Sequence, residues 1–353
     1  MTAQAEHVPV RVGMIGAGFI ASYHLDGLRA AGGADVRVLA GRTPGKTAAL
    51  AARYGITSTT TDWREVIARD DIDAVVITTP DETHPEIAIA AARAGKHILL
   101  QKPMARTAAE CRTIIAAANA AGVRLQVSFM HRYFEEVVAA RQLLVDGAIG
   151  RTYSLRMRNA TPGPDWGSWF YSKARVGGGV VMQLGVHGID LLRHLFGDID
   201  SLSARTALLR TERVLTDGTV VHPDNEDHAL ALYRFASGAL ASHEMDMSEV
   251  AGCDRFTLEI YGEHGTIWLR SPRGPLALNA PRHTGTRDWV NLPLPVQATG
   301  ARQHRAFLDI VRGIAAPDQT AADGLASVLV AEAIYRASES GREQRVSIPG
   351  EPA

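Results

Sequence analysis

A chain of 353 residues that is 46% hydrophobic and 21% charged has the composition of a folded globular protein and enough length for two domains. Its 37 Lys and Arg stand against 38 Asp and Glu, a formal net charge of −1, so no surplus of positive field exists to hold a nucleic acid or an anionic bilayer. No stretch approaches the roughly 18 consecutive apolar residues of a membrane helix, and MTAQAEHVPV lacks the basic start and apolar centre of a secretory leader, so a cytoplasmic protein is expected. Cys111 and Cys253 are too few for a disulfide framework and have no CxxC spacing, which predicts two buried apolar fillers and no metal. Only four cations are lysine, at positions 46, 96, 102 and 173. In a chain whose cations default to arginine, a retained lysine can mark a need for an amine that exchanges protons.

In chain order, Val10–Ile15 is a short apolar strand closed by Gly16-Ala17-Gly18. Ile20–Ala31 follows as a helix with Ile20, His24, Leu28 and Ala31 on one face. A second strand at Val36–Ala40, a helix over Lys46–Tyr54, a strand at Ala74–Thr78, a helix over Pro85–Ala94 and a strand at His97–Leu100 continue the alternation. Helix Ala108–Ala121 and strand Val123–Ser128 extend it. Strands that are almost wholly apolar and separated by single helices predict a doubly wound α/β parallel sheet of Rossmann type, covered on both faces, over residues 1–129.

From residue 130 the texture changes. A helix over Phe134–Asp146 and a loop at Gly147–Gly150 precede strands of period two at Thr152–Arg158, Ala229–Phe235, Ala239–Met245 and Phe256–Tyr261, with Ser237-Gly238 as a hairpin turn. The expectation for 130–353 is an α+β domain with a large, mostly antiparallel open sheet, surface loops at Ser271–Pro281 and Leu292–Gly300, and a helix Gly324–Ser338 closing the chain.

Gly16-Ala17-Gly18-Phe19-Ile20-Ala21 fits G-x-G-x-x-A, directly after a strand and at a helix start, where bare backbone nitrogens and the helix dipole can meet a pyrophosphate. The residue that reads the cofactor's ribose lies about 20 positions on, at the end of the second strand. Gly41 stands there instead of an acid, and Asp35 is at the opposite end of that strand. Arg42, Thr43 and Lys46 follow, two cations and a hydroxyl suited to a 2′-phosphate, so NADP(H) is favoured and NAD(H) is the alternative. Gln101-Lys102-Pro103 stands at the carboxyl end of His97–Leu100, where open parallel sheets bind ligands, and Lys102 is either catalytic or a cap on a strand edge.

With these features the chain resembles the Gfo/Idh/MocA family of NAD(P)-dependent sugar and cyclitol oxidoreductases over nearly its whole length. The resemblance rests on the glycine turn, on Thr79-Pro80 with His84, and on Gln101-Lys102-Pro103, where the family has Glu-Lys-Pro. It rests also on Gly147-Ala148-Ile149-Gly150 and on Gly177-Gly178-Gly179 leading to His187 and Asp190. It implies that Thr79, Pro80, His84, Gln101 and Lys102 border the cofactor and that Lys102, Gln183 and His187 line the catalytic site. Gln183 replaces the family's aspartate. The spacing alone puts Gln183, His187 and Asp190 on one helical face.

The expected reaction is hydride transfer between nicotinamide and a hydroxyl or keto carbon of a sugar, cyclitol or glycoside, in the cleft between the two domains. Lys102 and His187 would handle the hydroxyl proton and polarise the carbonyl, and Gln183 would position the substrate. Arg132 and Tyr133 would border the pocket. Trp166, Trp169 and Tyr171 would form either a wall against a sugar ring or core anchors. His222, Asp224, Glu226, Asp227 and His228 read as a solvated loop rather than metal ligands. A homodimer or homotetramer through the second-domain sheet is expected. Two rival functions keep the same site: glycoside cleavage by transient oxidation, and a non-catalytic sensor.

Overall fold

The computed structural model describes residues 8–251, 255–316, 318 and 320–347, so Cys253 and the first seven residues lie outside it. Two compact units emerge. The first takes residues up to Ala105, Ala109–Met130 and Val296–Leu325; the second takes Arg106–Ala108, His131–Pro295 and the chain from Ala326. This division differs from the expected one in the segment 296–325, which packs with the first unit.

The first unit is a six-stranded sheet of β1 (Val10–Ile15), β2 (Ala34–Ala40), β3 (Ser58–Thr60), β4 (Ala74–Ile77), β5 (His97–Gln101) and β6 (Leu125–Ser128). The order is β3-β2-β1-β4-β5-β6 and every pairing is parallel. Helices α1 (Ala21–Ala31), α2 (Pro44–Tyr54), α3 (Trp63–Ile67), α4 (His84–Arg93) and α5 (Ala108–Ala121) connect the strands. β4 is buried at all four positions, as a strand covered on both faces must be. Strand order reverses between β1 and β4, so the carboxyl ends of these strands flank the crevice where such sheets take ligands.

The helix Ala301–Val311 was not foreseen from the sequence. Its Phe307 and Leu308 join Val12, Met14, Leu25 and Leu28 in the core, which is why this segment belongs to the first unit. Two of its buried residues are polar. Gln303 accepts from Tyr23 Oη and donates to Ser128 Oγ. His304 Nδ1 lies 2.7 Å from Gly300 O and so carries the proton, which leaves its Nε2 to accept from His24 Nδ1 at 2.9 Å. Burial lowers the pKa of both rings, that of His304 to about 4 and that of His24 well below its ordinary value. Lys96 is also spent on structure: its Nζ donates to Arg69 O at 2.7 Å and Ile72 O at 2.9 Å.

The second unit contains α6 (Glu135–Val145), β7 (Thr152–Ala160), α7 (Lys173–Val176), a π turn at Val181–Gly185 continuing into α8 (Val186–Phe196), and β8 (Ile199–Ala207). β9 (Arg213–Val214) and β10 (Val220–Val221) make a short ribbon. Next come β11 (His228–Phe235), β12 (Leu240–Asp246), β13 (Thr257–Gly262), β14 (Gly265–Ser271), β15 (Gly274–Asn279), α9 (Pro281–Thr284) and β16 (Val290–Asn291). After α10 (the helix Ala301–Val311) and α11 (Thr320–Ser340), β17 (Gln344–Arg345) is the last element among the described residues. The nine-stranded sheet has the order β16-β15-β14-β13-β7-β12-β11-β8-β17, with β12 and β7 parallel and the other neighbours antiparallel.

Two expectations are corrected here. Ser271–Pro281 is not a surface loop but a tight turn and β15, whose Leu276, Ala277 and Leu278 are fully buried; Gly274 and Pro275 masked the strand. The last helix does not close the chain, because β17 follows it and pairs with β8. Along β11, Ala229, Ala231, Tyr233 and Phe235 are buried while Leu230 and Leu232 are exposed. The buried face carries α8, with Gly188 against Asn159 and His243 and Phe196 against Phe235. Leu230, Leu232 and, on β12, Leu240 lie exposed on the other face. Among the described residues no helix is long and apolar enough to cross a membrane.

Candidate active site

In the first unit the glycine turn follows β1 directly. Gly16 has φ +114°, and a Cβ there would stand 2.5 Å from Thr78 Oγ1 and 2.7 Å from the Thr78 carbonyl, so only glycine lets the chain pass the end of β4. A Cβ on Gly18 would meet nothing within 4 Å, so this side of the turn is open at the start of α1. α1 has no acidic residue in its first turn, which leaves the positive end of its dipole uncancelled. A bare, open helix start of this kind fits the pyrophosphate of a dinucleotide. Phe19 is exposed on the turn and Ile20 half-buried behind it.

β2 ends at Ala40, and Gly41 leads from it into α2. Arg42, Thr43 and Lys46 are all exposed, and among the described residues Arg42 and Lys46 pair with no carboxylate. Asp35 lies at the far end of β2 in an ion pair with Arg37. At the end of β4, Thr79 Oγ1 accepts from Thr83, and Pro80 is half-buried. His84 lies at the start of α4, after this turn. It is fully buried, with Nδ1 3.0 Å from Pro103 O and Nε2 2.9 Å from Thr79 O, so its ring ties the Thr79-Pro80 turn to the Lys102-Pro103 loop. Gln101 Oε1 accepts from the Lys102 backbone N–H at 3.0 Å, which fixes the start of that loop. Lys102 itself is half-buried at the carboxyl end of β5.

In the second unit, Gln183 lies in the π turn and His187 in the first turn of α8, and both are buried. Asp190, one turn on, is completely buried and receives both arms of Arg132, Nε to Oδ2 at 2.8 Å and Nη2 to Oδ1 at 2.5 Å. The helical face predicted from spacing is therefore an interior one. Arg132 is committed to this bidentate ion pair, with Tyr133 half-buried beside it. The His187 ring stacks on His131, centroids 4.3 Å apart and planes 17° from parallel, and His131 in turn lies 5.1 Å from Phe134 and 5.0 Å from Phe256. The unit thus brings Arg132, Gln183 and His187 to one helix and its support. Trp166 and Trp169 form a separate cluster with Phe170 on an accessible loop, whereas Tyr171 is a buried anchor under the Arg213 guanidinium.

The glycine run before this helix is explained by a residue that sequence reasoning assigned to solvent. Glu226 Oε1 accepts from Gly179 N at 2.9 Å, Val181 N at 3.1 Å and Tyr335 Oη at 2.8 Å, and Glu226 O accepts from Val180 N at 2.8 Å. Burial pushes this carboxyl up from its ordinary pKa, against the pull of those hydrogen bonds. A Cβ on Gly179 would lie 1.7 Å from Glu226 O, and one on Gly178 1.9 Å from Tyr335 Oη. Asp227 is also buried, accepting from Leu209 N, Arg210 N and Arg213. Of the supposed loop only His222 and Asp224 are exposed.

Residues 10–129 match the oxidoreductase family with a NAD-binding Rossmann fold, and residues 137–268 match the Gfo/Idh/MocA C-terminal domain. A levoglucosan dehydrogenase of Pseudarthrobacter phenanthrenivorans is 33% identical over 73% of this chain and 73% of its own. An inositol 2-dehydrogenase of Ralstonia nicotianae is 30% identical over 98% of each chain. A solved levoglucosan dehydrogenase in complex with NADH and L-sorbose superposes with a TM-score of 0.86 at 28% identity, covering 96% of this chain and 99% of that one. Matched in both halves and along almost its full length, the chain belongs to the Gfo/Idh/MocA family of oxidoreductases, with a NAD-binding Rossmann fold in its first unit.

Proposed function

We propose that the chain is a dehydrogenase of a sugar or cyclitol that prefers NADP(H) and uses Lys102, His187 and Gln183 at its catalytic site. The observation that carries the reading is Lys102 standing at the carboxyl end of β5, in a sheet whose glycine turn is shaped for a dinucleotide, in a chain whose relatives are named as dehydrogenases of levoglucosan and inositol. Gly16, Gly18 and the start of α1 would hold the pyrophosphate, and Phe19, Ile20, Thr79, Pro80 and Gln101 would border the cofactor. Nicotinamide, when bound, exchanges a hydride with the reacting carbon. In oxidation Lys102 Nζ takes the hydroxyl proton, and in reduction it returns it. His187, braced by His131, donates to the substrate oxygen, and Gln183 orients a neighbouring hydroxyl. Trp166 and Trp169 offer apolar ring faces to a sugar.

The cofactor preference is supported by Gly41 in the acid's place and by exposed Arg42, Thr43 and Lys46. A second copy of the chain covering Leu230, Leu232 and Leu240 on the second unit's sheet completes the proposal. The test is a panel of inositols, anhydrosugars and aldoses followed by nicotinamide absorbance with both cofactors, with sedimentation velocity on the same preparation. The expected result is turnover of at least one polyol, kcat/KM about tenfold or more higher with NADP+, the scale of one charge-assisted hydrogen bond, and a particle of two or four chains. Cofactor binding without turnover of any polyol would sink the dehydrogenase reading, a preference for NAD+ the cofactor reading, and a monomer the assembly.

A further inference from the structure

The absence of an acid at position 41 has a cause beyond the residue itself. Gly41 does not need glycine's backbone freedom, since it is not among the positive-φ positions. It needs glycine's size. A Cβ placed on it would lie 2.3 Å from Thr47 Oγ1 and 2.7 Å from Ala17 Cβ, both far inside contact distance. Neither neighbour is the loose end of a long side chain. Thr47 is buried in the first turn of α2, and its Oγ1 is held to Thr43 O at 2.9 Å. Ala17 sits inside the glycine turn, which is tied to the sheet by Gly16 N to Ala40 O at 2.9 Å. Gly41 cannot retreat either, because its own N–H donates to Thr60 O at 3.0 Å.

We propose that Thr47 and Ala17 are specificity-determining residues for the cofactor: together they fill the volume that an acidic side chain at position 41 would need to reach a ribose 2′-hydroxyl. The acid's absence is thus a packed arrangement of three residues, and Arg42, Thr43 and Lys46 present their charge and hydroxyl over a floor that excludes a carboxylate. This rests on the proposed reading of the cofactor at the end of β2 and extends it from the exposed cations to the buried side chains beneath them. It has a plain consequence for redesign. Adding the acid alone must fail, and adding it with room made for it must succeed.

The test uses the full chain and two readouts, the thermal midpoint without cofactor and fluorescence titration with NADH and NADPH. Gly41→Ala, which adds the Cβ alone, is expected to lower the midpoint, and Thr47→Ala with Ala17→Gly in the same chain to restore it. Gly41→Asp alone is expected to lower the midpoint further and to weaken both cofactors about tenfold or more. With Thr47→Ala and Ala17→Gly added, the midpoint should recover and NADH should bind at least about tenfold more tightly than to Gly41→Asp alone. The proposal is overturned if Gly41→Asp alone keeps the wild-type midpoint and gains NADH affinity as fully as the triple variant. It is equally overturned if the two companion changes rescue neither the midpoint nor NADH binding. A wild type that binds NADH more tightly than NADPH would sink the NADP(H) reading but leave the packing comparison among the variants intact, so the two failures are distinguishable.

Discussion

Replacing Lys102 with methionine is expected to lower kcat/KM for hydride transfer by about 10²–10⁴, the range that a positioned proton-transfer group supplies. Affinity for the nicotinamide cofactor should change by no more than about threefold, well under the tenfold that 1.4 kcal/mol would give. Methionine keeps the length and most of the volume of the side chain, and the loop that carries it is held by groups other than the amine. Gln101 Oε1 accepts from the residue's backbone N–H, and His84 holds the Pro103 carbonyl. Folding therefore should not change, and a thermal midpoint close to wild type is part of the expected result. The measurement is steady-state kinetics beside a cofactor titration. A variant that keeps more than about a tenth of wild-type turnover would remove Lys102 from the proton path. A variant that loses cofactor instead would place the amine in dinucleotide binding.

The second large effect belongs to Glu226, which touches no proposed substrate position and acts through the helix of Gln183 and His187. Glu226→Ala strands the N–H groups of Gly179 and Val181 and the Tyr335 hydroxyl at once, and buried donors left without an acceptor cost ~1–3 kcal/mol each. A loss of about 3 kcal/mol or more in urea unfolding is expected. In the protein that still folds, kcat should fall about tenfold or more as the Gln183 and His187 side chains shift from their reacting geometry. Glu226→Gln keeps an oxygen in the same place and should restore most of both quantities. An alanine variant within about 0.5 kcal/mol of wild type, or a glutamine variant no better than alanine, would show that this carboxylate does not hold the helix start.

The parallel sheet was legible because a strand covered on both faces must be apolar through its buried length: β4 is apolar throughout, and β1 and β5 depart from this only at Arg11, His97 and Gln101, their half-buried positions. The elements that escaped notice failed that pattern for identifiable reasons. β15 carries its buried Leu276-Ala277-Leu278 behind a glycine and a proline, and β17 is two polar residues whose only signal is their pairing with β8. α10 hides a core face because two of its buried positions are Gln303 and His304, each of which finds buried polar partners. At the site, the glycine turn and the cations after β2 could be read from residue type and spacing. The roles proposed for Lys102, Gln183 and His187 rest on family resemblance, since spacing alone cannot tell a buried helical stripe from a solvated one. Glu226 was invisible for a related reason: a carboxylate among other charges reads as solvent-facing unless its acceptors' partners are known. The one available signal was the glycine run, in which Gly179 makes room for Glu226 and Gly178 for its partner Tyr335.

The linked imidazoles of His24 and His304 make the first unit an acid-labile latch. His304 must be neutral for its Nε2 to accept from His24 while its Nδ1 donates to Gly300, and burial keeps His24 neutral as well. The unfolded chain accepts a proton on His304 near 6.5, while the folded chain refuses it until about 4. The stability contributed by the neutral ring is therefore whole above about pH 6.5 and drains away as the pH falls toward about 4. By pH 5 the loss from His304 alone is about 2 kcal/mol, a sizeable part of a typical folding free energy, with His24 and His243 adding shares of the same sign. Urea unfolding at pH 7 and pH 5 should show the wild type losing more than His304→Gln does, and equal losses would mean that the pair does not set the acid limit. A protein so wired is committed to near-neutral surroundings, since acidification would open the packing of α10 on α1 and with it the helix that begins at the glycine turn.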